Sequence, residues 1–145
     1  MDLAKFPQAQ TLFAEGQNFD LRLFIRVNVT VPEILALTEL LWPEFVEHRG
    51  CVFLKFVFDE AGVNRWFENL EGNNSAIEAV VNHVHLWDFF SATTEEERAG
   101  LSHLADVVQA MWQTLIGQRF PGREFAVSVS DETNDYVPTL TLCSA

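Results

Sequence analysis

Positive charge is scarce in this chain. Nine lysines and arginines face 21 aspartates and glutamates, giving a formal net charge of −12. Nucleic acids and anionic membranes are polyanions, so this balance disfavours both as partners. Cysteine is scarce as well, with Cys51 and Cys143 alone. Two isolated thiols fit a reducing compartment, in which both are expected to be free. The opening MDLAKFPQAQ lacks an apolar signal core. No apolar run approaches the roughly 18 residues of a membrane span. A cytoplasmic location is therefore expected. The GxSxG, GxGxxG and P-loop patterns do not occur. No cofactor is expected, and the chain leans away from being an enzyme.

What the chain does have is apolar and aromatic material. Hydrophobic residues make up 48%, with 13 phenylalanines and four tryptophans. That fits one domain over residues 1–145, since a chain of this length buries roughly 68–70% of its unfolded surface. The organising stretch is residues 51–59, CVFLKFVFD. Lys55 is its only internal charge, and both faces are apolar, as in a strand covered on both sides.

Residues 1–17 read as an arm or a short helix. From 19 to 29 the pattern alternates. Phe19, Leu21, Leu23, Ile25, Val27 and Val29 take one face, and Arg22, Phe24 and Arg26 the other, which predicts a strand. Thr30 and Glu33 form a capping box that opens a helix, with Pro32 in its first turn. Pro43 should break that helix, and Gly50 should end it. Val63, Trp66, Phe67 and Leu70 keep the spacing of a buried helix face. Ser75 with Glu78, and Thr94 with Glu97, predict two further helices, the last running to about Ile116. Alternation returns at Phe125, Val127 and Val129 and again over 137–143, predicting an antiparallel hairpin. The order β-α-β-α-α-α-β-β points to an α+β domain. Its expected form is a four-stranded mixed or antiparallel sheet with helices on one face. If the first two strands are parallel neighbours, the helix between them is a right-handed crossover.

Candidate binding residues follow from that sheet. Arg22, Phe24 and Arg26 on the first strand and Phe53 and Lys55 on the central one would emerge together on the open face. Three of nine basic residues would then sit with two phenylalanines on an acidic protein, as at an interface. The leading functional reading is a small binding or regulatory protein of the immunity or inhibitor type. It would meet a basic protein through its carboxylates or pair with a second copy of itself. The alternative is a site for an anionic small molecule, with Arg22, Arg26 and Lys55 as ligands and His83 or His85 for proton transfer. His83 and His85 fall in a predicted helix, where their spacing separates them by about 200°. His85 and Asp88 share a face there, but two ligands fall short of a zinc site. The most remote reading is calcium at Asp131, Thr133 and Asp135. That turn lacks the glycine and glutamate of a calcium loop, which here are Tyr136 and Leu142, and an Asx-rich hairpin turn accounts for it.

Overall fold

The computed structural model describes residues 1–130 and 138–145. The described residues form six α-helices and five strands, an α+β architecture. In chain order these are α1 (Pro7–Leu12), α2 (Leu21–Asn28), α3 (Val31–Leu41), β1 (Phe45–His48), β2 (Cys51–Leu54), α4 (Glu60–Asn69), α5 (Asn74–Val81), β3 (His83–His85), α6 (Glu95–Arg119), β4 (Phe125–Ser130) and β5 (Thr139–Ser144). No helix among the described residues is long and apolar enough to cross a membrane.

The capping boxes at Thr30/Glu33 and Thr94/Glu97 both form, each satisfying otherwise orphaned N–H groups. Pro43 follows the end of α3, as its missing N–H requires. Gly50 plays a different part from the helix stop expected of it. Arg49 and Gly50 both have positive φ, 52° and 85°, and His48 pairs with Cys51 across them. That is the geometry of a two-residue hairpin turn. It makes β1 and β2 antiparallel neighbours, while residues 21–28, in the first of the two strands that a parallel crossover would join, are helical.

The central stretch does carry the core, although its strand stops at Leu54 and a 3₁₀ turn takes over from Lys55 to Val57. All four residues of β2 are fully buried. Val52 and Leu54 enter the main core with Leu40, Leu86, Val108, Trp112 and Leu140. Cys51 and Phe53 enter a second core with Val63, Phe67 and Ile77 from α4 and α5.

The expected single four-stranded sheet is instead two antiparallel sheets, β1-β2 and β3-β5-β4. Two side chains from α5 and its C-terminal cap stand between them. Glu78 accepts from the backbone N–H of Val52 at 2.8 Å and of Ser144 at 2.6 Å. Asn82 accepts from the Leu54 N–H at 2.9 Å and donates to the carbonyls of Val52 and Leu142 at 2.9 and 3.1 Å. Both are fully buried. β3 covers β5 only over Thr139–Thr141, and beyond that point these side chains take over the open edge of β5. The far edge of β4 is closed in the same manner by α6. Gln109 donates to the Val127 carbonyl at 2.7 Å, and Gln113 bonds Val127 N–H and Phe125 C=O, each at 2.9 Å. Unpaired strand edges invite unwanted pairing, and amides from a packed helix remove that risk.

The largest departure from expectation is at residues 19–29. The segment forms the helix α2 where a strand was expected, because Asp20 caps it: the Asp20 carboxylate accepts from the N–H groups of Arg22 and Leu23 at 2.9 and 3.2 Å.

Candidate functional site

The five expected binding residues do not share a surface. Arg22, Phe24 and Arg26 ride on α2. Phe53 is fully buried, its ring centroid 5.6 Å from that of Phe58. Lys55 sits in the 3₁₀ turn after β2, in an exposed ion pair with Glu44 at 2.5 Å. The hydrogen bond to Glu44, then its charge, raises the Lys55 pKa and lowers that of Glu44. The open sheet face expected to join these residues is absent, since α2 is a helix and β2 is buried on both sides.

His83 and His85 lie on β3, where a helix was expected, so their side chains point the same way. The rings are 4.7 Å apart. Each Nδ1 pairs with a threonine hydroxyl on β5, His83 with Thr141 at 3.0 Å and His85 with Thr139 at 2.7 Å. Among the described residues no group of three or more His, Cys, Asp or Glu could hold a metal ion. Asp131, Thr133 and Asp135, the expected calcium ligands, lie outside the described residues. Burial, then the neighbouring His85, holds the His83 pKa below the ordinary histidine value. The unfolded chain thus takes up that proton more readily than the folded one, and stability should fall as pH drops through the ordinary value near 6.5. A melting-temperature series from pH 7.5 to 5.5 should show this decline, and His83→Gln should flatten it; an unchanged slope in the variant would refute the assignment.

The Cys51 thiol is not poised for chemistry. Cys51 is buried, donates to the Asn74 carbonyl at 3.7 Å, and is pushed up to about 11 by desolvation and then by Glu78. A thiol so raised is a poor nucleophile.

The feature that periodicity concealed is α2 itself. At about 100° per residue its five apolar side chains take up roughly 200° of the helix, with Arg22 and Arg26 one turn apart on the opposite side. Phe24 alone is partly covered, packing on Phe19, whose ring stacks in turn on Phe13 at 5.4 Å. Leu21, Leu23, Ile25 and Val27 are 42–58% exposed. On α3, Val31 and Leu35 are also exposed, at 70% and 60%. The signal that would have found this surface is Asp20, a helix cap standing before the alternating run.

Beside this arm lies a groove of about 550 Å³, a volume in the range of ligand and side-chain pockets. Val29, Ala36, Leu37 and Leu40 form one side, and Phe56, Phe89 and Phe90 the other. Glu33 and Glu39 are also part of its lining, and among the described residues no lysine or arginine is. Glu33 is bound to the Thr30 hydroxyl and N–H at 2.7 and 2.6 Å, which lowers its pKa and keeps it ionised. Phe56 is braced from beneath by Trp112, whose indole N–H donates to the Leu40 carbonyl at 2.7 Å.

Compared with known proteins, the chain matches no family model, no curated protein and no solved structure.

Proposed function

We propose that the chain acts by protein–protein contact and that α2 with the first half of α3 is the surface it uses. The observation that carries this reading is the exposure of Leu21, Leu23, Ile25 and Val27 on one short helix, with Val31 and Leu35 also exposed on α3. Contiguous apolar surface of this kind is rarely left in water unless it meets something. Arg22 and Arg26 lie on the other side of the same helix, so the arm carries apolar surface and paired cations together, and arginine is enriched among interface hot spots. The net charge of −12 favours a basic partner overall. The local balance on α2 differs: residues 21–28 hold two arginines and no acid, which favours carboxylates at the seat of the arm.

The test uses Leu23→Glu with Val27→Gln. Both replacements are good helix formers, and the first puts an acid in the opening turn, where the helix dipole favours one. Proteins captured by the wild type and by this variant are compared, and any captured protein is purified and titrated against both. The variant should bind about 100-fold more weakly, the loss of two interface anchors. Equal affinity for both forms would remove α2 from the contact.

A further inference from the structure

We propose that the seat of α2 is the acidic-rimmed groove on a second copy of this chain. The exchange is reciprocal, so that two copies form a two-fold dimer through two equivalent contacts. This rests on the reading of α2 and α3 as a contact surface and names the partner.

Each half of the fit is left unmatched within one copy. The apolar residues of α2 face solvent, and in the groove Phe89 is 48% exposed. The two halves are complementary in character. The helix offers an apolar arc with Arg22 and Arg26 on its other side, and the groove offers aromatic and aliphatic walls with Glu33 and Glu39 in its lining. The arm thus carries two cations, Arg22 and Arg26, and the groove lining two carboxylates, Glu33 and Glu39, opposite in sign. Carboxylate–guanidinium pairs of this kind fix orientation as well as adding attraction.

The connection favours exchange. Between α2 and α3 the chain leaves helical geometry at Val29 (φ −130°, ψ 128°) and Thr30 (φ −96°, ψ 163°). The arm is therefore joined by a two-residue extended hinge, and Val29 of that hinge is itself part of the groove wall. A short element hinged beside the seat it fits is the usual starting point for a swap between identical chains. Because the contact is heterologous in residues but reciprocal in symmetry, it closes at two copies and leaves no open end.

The experiment is light scattering after size-exclusion chromatography on the full chain, over a concentration series. The wild type should approach twice the chain mass of 16.5 kDa as concentration rises. An arm variant, Leu23→Glu with Val27→Gln, and a groove variant, Ala36→Trp, should each remain single. Mixed in equal amounts they should recover a dimer, because one intact arm still meets one intact groove. Far-UV circular dichroism checks that both are folded; if the arm variant loses helix, Leu23→Gln alone replaces it. A wild type that stays single at every concentration overturns the proposal, as does a mixture that never pairs while the wild type does, since that would mean arm packing on arm. If the wild type is single yet a captured foreign protein loses affinity for the arm variant, the contact surface survives and the self-partner falls. If the arm variant changes neither measurement, both readings fall.

Discussion

Asn82→Leu should cost roughly 3–6 kcal/mol of folding stability, although the side chain keeps nearly the same size. Asn82 serves the Leu54 N–H, the Val52 carbonyl and the Leu142 carbonyl, all in a fully buried setting. Leucine leaves all three without a partner. A buried unsatisfied group costs about 1–3 kcal/mol, with some relief from local relaxation. The total stability of a domain is about 5–15 kcal/mol, so the variant should sit near the edge of folding. Glu78→Gln should cost less, about 1–3 kcal/mol, because its amide would face a backbone N–H with a second donor. Glu78→Ala should cost more. It frees the Val52 and Ser144 N–H groups and strips Arg123 of a carboxylate 3.6 Å away. Urea titration measures each loss; a drop under about 1 kcal/mol for Asn82→Leu would show that this bridge does not hold the two sheets together.

This bridge also marks where the sequence stops being legible. Ser75 and Glu78 have the spacing of a capping box, yet Asn73 caps α5 by accepting from the Ala76 N–H at 3.1 Å. Glu78 is thereby free to turn inward, to partners 26 and 66 residues away in the chain. Periodicity reports which face of an element is apolar. It carries no record of a polar side chain replacing a strand between two sheets. The expectation of one four-stranded sheet puts β2 and the terminal hairpin in one ladder, whereas they lie in separate sheets. It misses that amide and carboxylate groups, rather than a ladder, connect them.

Where a residue's role is set by near neighbours, pattern and structure agree. The capping boxes at Thr30 and Thr94 form, Pro43 follows the end of α3, and Val63 and Phe67 are buried on one face of α4, although Trp66 of the same expected face is exposed. The terminal hairpin keeps its alternation, with Phe125 and Val127 in and Ala126 and Ser128 out. Residues 19–29 depart for a physical reason. Alternation of apolar and polar residues distributes side chains to two faces of a strand, but on a helix it leaves a wide apolar arc. Only a capping carboxylate and the absence of a partner strand decide between the two. The same run yields a half-buried strand under one reading and an exposed amphipathic arm under the other. Arg22, Phe24 and Arg26 therefore do belong to one element, while Phe53 and Lys55 are tied to them only by a sheet that does not form.

Trp112→Ala should cost about 3–5 kcal/mol, the range for emptying a large aromatic site. Trp112→Phe is the more informative change. It keeps much of the buried ring area but leaves the Leu40 carbonyl without its donor, at a cost of about 1–3 kcal/mol. The effect should not be confined to stability. The Trp112 hydrogen bond ties α6 to α3 at Leu40, and its ring supports Phe56, which meets Phe89 edge-on at 6.2 Å. Leu40, Phe56 and Phe89 are all part of the groove. Loosening the indole should therefore let the groove spread, and self-association should weaken together with folding. Val63→Ala supplies the control. It removes two methyl groups from the second core, which holds no groove residue, for about 2 kcal/mol. Under conditions where both variants remain fully folded, Trp112→Phe should lower the dimer fraction and Val63→Ala should leave it unchanged. Equal dimer fractions in the two would separate the core around Trp112 from the shape of the groove.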